Sequence, residues 1–160
     1  MKIKSGIGFD AHPFSHGRRL IIGGVDIPFG RGLDGHSDAD VLIHAVIDAI
    51  ATPALGEDIG HLFPDTDPSY KNADSLELLK RTVDLVRQNG WKPGNVDAVI
   101  IAQTPKMAPH IPLMREKLAS AIGIPLEDIT IKATTTEYMG FTGREEGIAA
   151  LASTIIYYDK

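Results

Sequence analysis

The sequence predicts an α/β (α+β) domain of two layers, a mixed β-sheet with its helices on one face. Three observations predict it. Apolar periodicity alternates between the strand and helix spacings in the order β(ββ)ααβαββ along the chain. No repeat, low-complexity tract or polar linker divides the 160 residues, so residues 1–160 read as one domain large enough to bury its own core. The composition, 43% hydrophobic and 23% charged, is that of an ordinary soluble globular protein.

The elements follow in order. Lys2 to Asp10 reads as a strand. Arg19 to Pro28 places two short apolar runs around Gly23-Gly24, a hairpin signal. Ser37-x-x-Asp40 is a capping-box-like start, with Asp38 favourable in the first turn, and Ser37 is the expected cap. The helix it opens is expected to end near Ala51, because Pro53 biases Thr52 away from helical geometry. On that helix Asp40, His44 and Asp48 share one face. Leu55 to Tyr70 is a long loop dense in Gly, Pro and Asp, the kind that is usually either functional or disordered. Asp74 caps a second helix with Leu76, Leu79, Val83 and Val86 as its apolar stripe and Gly90 as its stop.

Val96 to Gln103 reads as a buried strand, and Thr104 to Pro109 as a turn. A third helix spans Ile111 to Ile122, with Pro112 in its first turn and Gly123 after its last. Ile129 to Ala133 is a strand that leads into Thr134-Thr-Thr-Glu137. Ile148 to Tyr158 fits either period, and its β-branched Thr154-Ile-Ile selects strand. Helices on one face leave the other sheet face in need of cover, and homo-oligomerisation through the sheet supplies it economically.

Composition also excludes. The net charge is −5, without a block of about five like charges, so there is no footprint for nucleic acid. No cysteine is present, which removes disulfides and thiolate metal sites. No apolar run approaches the ~18 residues of a membrane span, and the first residues lack a signal peptide's apolar core. The expectation is a soluble, cytoplasmic protein with no membrane partner.

Chemistry concentrates in a few places. Asp10 and His12 stand two apart on a strand and share a face, and His44 lies on the first helix. One carboxylate and two imidazoles with an open fourth position suit zinc or a similar divalent ion. The competing reading is that the histidines satisfy core or capping hydrogen bonds. Asp40 or Asp48 would be the carboxylate that orients His44. Gly35-His-Ser-Asp38 precedes a helix N-terminus and reads first as a helix cap; the alternative is an anion site, where free N–H groups favour anions and His36 could donate. In the long loop, Asp58, Asp65 and Asp67 serve either Asx turns or the hydroxyls of a polyol. Lys132 and Thr134 to Glu137 follow a strand end, where α/β sheets place ligands, and Lys106 follows the preceding strand. The hydroxyls suit phosphate, and Glu137 a hard cation. Neither a phosphate-binding Gly-rich loop, a serine elbow nor a cysteine nucleophile is present. Metal-assisted chemistry on a phosphorylated, hydroxyl-bearing ligand is the convergent reading.

Together, Gly6-Ile-Gly-Phe-Asp10-Ala-His12, Gly35-His-Ser-Asp-Ala-Asp-Val41, Asp58-Ile-Gly60, Phe63-Pro-Asp-Thr-Asp67, Ala102-Gln-Thr-Pro-Lys-Met107, Lys132-Ala-Thr-Thr-Thr-Glu137 and Phe141-Thr-Gly-Arg144 resemble the 2-C-methyl-D-erythritol 2,4-cyclodiphosphate synthase family of the non-mevalonate isoprenoid pathway. The motifs are several, ordered and spread over nearly the whole chain. The resemblance implies a ferredoxin-like/chorismate-mutase-like strand order and a homotrimer with active sites between adjacent subunits. It implies zinc at Asp10, His12 and His44, and Mg²⁺ or Mn²⁺ at Glu137. His36, Ser37, Asp58, Ile59 and Gly60 fall where the methylerythritol phosphate is held, with Phe63, Asp65 and Asp67 in the same loop. Ala102 to Ala108, including Lys106 and Met107, and Ala133, Thr134, Thr135 and Thr136 fall at the neighbouring chain's cytidine diphosphate pocket. His36, Asp58, Lys132 and Thr135 are the implied catalytic positions. Phe9, Phe141 and Arg144 belong to the same resemblance, and Phe9 and Arg144 fall near the threefold axis, where some members carry an isoprenoid diphosphate.

One departure precedes the loop, where Thr52-Pro-Ala-Leu-Gly-Glu57 stands in place of the family's small residues and bears on the helix exit alone. The implied reaction is attack of the substrate's 2-phosphate on its diphosphate with loss of CMP. The competing readings are a metal-dependent phosphohydrolase and a non-catalytic nucleotide-binding trimer.

Overall fold

The structure is a computed structural model that describes residues 1–158. Strand β1 spans Lys2–Ser15, and the hairpin is β2, Leu20–Ile22, with β3, Val25–Ile27. Strand β4 is Gly32–Leu33; helix α1 is Val41–Leu55 and the single-turn α2 is Ile59–Leu62. Helix α3, Ser75–Gln88, precedes strand β5, Trp91–Ile101, and helix α4, Ile111–Ile122, precedes strand β6, Ile129–Thr134. The short α5, Gly140–Gly143, leads into the closing strand β7, Gly147–Tyr158. The predicted two-layer α/β architecture is present.

The main sheet runs β4-β1-β7-β5-β6, with β5 and β6 parallel and the other neighbours antiparallel; β2 and β3 pair only with each other. Alternation sorts β1 into two faces. Its even positions point at the helices, and Gly6 and Gly8 are there because α1 lies against the strand. A Cβ on Gly6 would sit 1.8 Å from the Ala49 carbonyl oxygen, and one on Gly8 1.9 Å from that of Ala45. This close approach seats α1 on β1 and β7, with α3 packed on its other side. Residues Val41 to Ile47 of α1 are all buried, so the helix forms the centre of the core.

The odd positions of β1 face away from the helices. Ile3, Ile7 and Phe9 are 55%, 69% and 57% exposed, and Ile155 of β7 adds to the same uncovered face.

Three expectations need correction. The N-terminal strand runs on to Ser15, because its pairing with β7 is continuous from Lys2↔Tyr158 to Pro13↔Gly147. The N-cap of α1 is Asp40, not Ser37: Asp40 accepts from the Ile43 amide at 3.1 Å, whereas the amide that the Ser37 hydroxyl accepts from is that of Ala39, before the helix. Helix α1 also continues through Pro53 to Leu55. The Ala49 carbonyl that loses its N–H partner to Pro53 packs on the backbone of Gly6, and Lys4 Nζ donates to the Pro53 carbonyl at 2.6 Å. Gly56, in the left-handed region at φ 77°, ends the helix.

Candidate metal centre and adjoining cleft

The glycine face of β1 continues to Asp10 and His12, and α1 lays its second turn beside them. His12 Nε2 lies 2.8 Å from Asp10 Oδ2, His44 Nδ1 3.1 Å from the same oxygen, and the two ring nitrogens are 3.2 Å apart. Tetrahedral bonds of ~2.0–2.1 Å to a zinc ion require ligand atoms roughly 3.3 Å apart. The three donors form nearly that triangle, and among the described residues they are the one cluster suited to an ion. Their chemistry, one carboxylate oxygen and two imidazole nitrogens, fits zinc or a related ion.

Neighbours hold both rings. His12 Nδ1 lies 2.8 Å from the Asp34 carbonyl oxygen, so it donates there and leaves Nε2 to the cluster. His44 Nε2 lies 3.0 Å from Ser37 Oγ and 2.9 Å from Ser75 Oγ. The acids expected to orient His44 do other work. Asp40, fully buried, accepts from the Gly23 and Gly24 amides at 2.9 and 2.7 Å and so ties the hairpin to the head of α1. Asp48 accepts from the Ile59 amide at 2.7 Å and pins the start of α2 to α1.

Electrostatics follow the geometry. Burial resists ionisation of Asp10, but the hydrogen bonds and charges of His12 and His44 outweigh it and hold the carboxyl down to about 2. Burial likewise disfavours the charged His12 ring, yet the bond to Asp10 and its charge raise the imidazole above 6.5. For Asp40, burial and then the charge of Asp38 push the carboxyl up to about 6, against the pull of its three amide donors.

The cluster opens into a cleft of about 220 Å³ lined also by His36, Ser37, Ile59, Gly60, Phe63, Asp65, Tyr70 and Leu78. The structure thus brings Asp10, His12, His36, Ser37, His44, Ile59, Gly60, Phe63 and Asp65 to one cleft, and leaves Asp58 and Asp67 outside its lining. Arg18 braces its rim, donating to the carbonyls of Gly35 at 2.8 Å and Ser37 at 2.6 Å. His36 Nε2 meets the Asp67 carbonyl at 3.2 Å, and the Asp67 side chain caps the following turn through Ser69 at 2.9 Å. Asp58 caps α2 and accepts from His61 Nδ1 at 2.8 Å, an exposed pair that lowers the Asp58 carboxyl.

The second half of the expected site lies elsewhere. Asp10, Ala150, Ile100 and Ala133 form one row across the sheet, three strand spacings wide. That places the ends of β5 and β6 roughly 14 Å from the metal cluster. Lys132 belongs to the neighbouring row Phe9, Leu151, Val99, Lys132, on the uncovered face, and reaches Asp97 Oδ1 at 3.3 Å. Thr134, Thr135, Glu137 and Lys106 are exposed at the ends of β6 and β5. Glu137 and Tyr138 both adopt the left-handed region, at φ 52° and 62°, held by Gln103 Oε1 on the Tyr138 amide at 3.1 Å. Thr136 hydrogen-bonds Thr142 at 2.8 Å. Ala102 and Met107 are core residues; Ala108, Ala133, Phe141 and Arg144 are exposed, and Arg144 pairs with Glu146 at 3.0 Å.

Sequence reasoning missed Ser75, Asp38 and the Asp34 carbonyl as supports of the histidines. Ser75 carried no signal beyond its place after the Asp74 cap, and a backbone carbonyl carries none at all.

The comparisons agree with this geometry. A family model described as the YgbB family matches residues 3–157. The chain is 55% identical to the 2-C-methyl-D-erythritol 2,4-cyclodiphosphate synthase of Bacteroides thetaiotaomicron, over 99% of this chain and 100% of that one. It is 57% identical to the synthase of Geotalea daltonii, over 96% and 90%. Among solved structures, the bifunctional IspDF from Campylobacter jejuni superposes with a TM-score of 0.95 at 44% identity, over 99% of this chain and 43% of that one. The Plasmodium falciparum IspF CDP complex superposes with a TM-score of 0.84 at 29% identity, over 99% and 97%.

Proposed function

The chain belongs to the YgbB family of 2-C-methyl-D-erythritol 2,4-cyclodiphosphate synthases, and from that premise we propose how its residues carry out the cyclisation. The reaction converts 4-diphosphocytidyl-2-C-methyl-D-erythritol 2-phosphate to the 2,4-cyclodiphosphate with release of CMP. An oxygen of the 2-phosphate forms a bond to the β-phosphorus, the bond from that phosphorus to the bridging oxygen breaks, and CMP leaves with the electron pair. The nucleophile is already an anion, so the protein supplies position and charge neutralisation rather than a strong base.

Asp10, His12 and His44 hold the zinc, which when bound polarises and orients phosphate oxygens. His36 and Ser37, at the braced rim, hold the methylerythritol phosphate, with Asp58 and the Ile59 and Gly60 backbone on the far side of the cleft. Lys132, Thr135 and Thr136 offset charge on the diphosphate, Glu137 takes a second divalent ion, Mg²⁺ or Mn²⁺, and Ala102 to Ala108 with Ala133 and Thr134 receive the cytidine.

The assembly is a homotrimer in which this second set serves a neighbour's cleft. Two features support it: the roughly 14 Å between the two halves of the site within one chain, and the apolar face with Ile3, Ile7 and Phe9 exposed. The observation that carries the reading is the convergence of Asp10, His12 and His44 at the floor of the cleft lined by His36 and Ser37.

The test is incubation with the diphosphocytidyl substrate, Zn²⁺ and Mg²⁺, with products resolved by ³¹P NMR. Cyclic diphosphate and CMP in equal amounts are expected. A linear phosphate product would make the protein a hydrolase, and no turnover would make it a binding protein.

A further inference from the structure

His44 turns one nitrogen toward the cluster and the other into the protein, and what meets the second decides whether the first is free. Ser75, fully buried, lies with Oγ 2.9 Å from His44 Nε2. Its hydroxyl proton is committed: Ser75 Oγ donates to Asp38 Oδ1, and the Ser75 amide donates to Asp38 Oδ2 at 3.1 Å. A serine hydroxyl has one proton to give. Once Asp38 takes it, Ser75 presents only lone pairs to the imidazole, so it accepts from His44 Nε2 and competes for the ring hydrogen with Asp10 Oδ2, 3.1 Å from Nδ1. With the hydrogen held on Nε2, Nδ1 offers its lone pair to an ion, and Nδ1 is the atom that faces Asp10 and His12.

We propose that Asp38 and Ser75 are positioning residues that select the metal-binding tautomer of His44, a carboxylate–hydroxyl–imidazole relay. The inference rests on the metal reading of the cluster. Ser37 Oγ, 3.0 Å from the same Nε2, does not select, because its own proton is free to turn toward the ring or away from it. Asp38 is also tied down: the Asp40 amide donates to its Oδ1 at 3.2 Å, and its own amide donates to the Ala73 carbonyl at 3.1 Å. The relay thereby joins the segment before α1 to the first turn of α3, and the position of α3 is read by His44.

The test compares the unmodified chain with Ser75→Ala and Asp38→Leu. Zinc affinity is measured by competition with a chromophoric chelator, and the His44 ring nitrogens by ¹H–¹⁵N NMR on metal-free protein near pH 8. The unmodified chain is expected to show His44 protonated on Nε2, and each variant to bind zinc about 10–100-fold more weakly. Both variants should move His44 toward the Nδ1-protonated form while keeping the native far-UV spectrum. Asp38→Leu roughly keeps the size of the side chain and keeps the Ser75 hydroxyl but has no acceptor, so it separates the relay from loss of packing. Unchanged zinc affinity and ring shifts in both variants would overturn the relay alone. Failure of the unmodified chain to take up zinc would overturn the metal reading, and this inference with it.

Discussion

Asp40→Ala tests how the head of α1 is held. The carboxylate accepts three backbone amides, from Ile43 at 3.1 Å, Gly23 at 2.9 Å and Gly24 at 2.7 Å. Loss of the cap costs about 1 kcal/mol. Gly23 and Gly24 then face a methyl group with unpaired amides, at about 1–3 kcal/mol each. The expected loss near pH ~5 is therefore about 3–7 kcal/mol, a large share of the ~5–15 kcal/mol that holds a domain together. A pH signature distinguishes this from simple loss of packing. The carboxyl is raised from 3.8 to about 6, so the folded chain binds its proton more tightly than the unfolded chain does. Its contribution to stability is greatest at low pH and is lost as pH rises through 6. Between pH ~7.5 and pH ~5 that amounts to about 1.4 kcal/mol. Alanine has no proton to bind, so the variant's deficit should be larger at pH ~5 than at pH ~7.5 by that amount. Urea unfolding followed by far-UV circular dichroism at both pH values, at one protein concentration, measures it. An equal deficit at the two pH values, or one below about 1 kcal/mol, would refute the reasoning.

Gly8→Ala places a Cβ 1.9 Å from the Ala45 carbonyl and should lower the melting temperature by about 2–4 °C for each kcal/mol of the 1–3 or more expected from overpacking; an unchanged melt would contradict the seating of α1. Ile7→Asp puts a charge on the uncovered face and should convert a trimer to monomers in sedimentation velocity, whereas a trimer that persists places the interface elsewhere. His44→Ala should remain folded yet lose bound zinc, by elemental analysis, and nearly all CMP release; full activity in zinc-depleted variant protein would sink the ligand assignment. Glu137→Gln should raise the Mg²⁺ concentration needed for half-maximal CMP release, and an identical titration would count against its role.

Local punctuation was the most legible part of the fold. Helix α4 spans Ile111–Ile122 as expected, because Pro112 and Gly123 act within a few residues of themselves. The start of α1 was harder. Ser37, Asp38 and Asp40 are all good caps, and only the hairpin amides of Gly23 and Gly24, far back in the chain, select Asp40. Its end was misjudged for a similar reason. Pro53 breaks an isolated helix, but here the abandoned carbonyl lies on Gly6 and the chain continues to Leu55. In each case the deciding contact lies on an element distant in sequence.

The site divides along the same line, and parity explains how. Gly6, Gly8, Asp10 and His12 are successive even positions of one strand, so the feature that admits α1 also aims the carboxylate and the imidazole at it. That relation is readable from spacing alone. Lys132 obeys the same rule on β6, where Ile129 and Ile131 face the helices and Lys132 must face away. Nothing in the sequence links the parity of β6 to that of β1; the link is the register through Val99, Leu151 and Phe9, which exists only once the sheet has formed. Under the proposed function Lys132 binds phosphate, and on the face opposite the metal ligands it would be useless to its own cleft. It becomes useful when the uncovered sheet faces of several copies turn inward together and carry the ends of β5 and β6 toward a neighbour. The proposed homotrimer would give the apolar residues on that face and the polar residues at its edge one physical explanation, a site completed between chains.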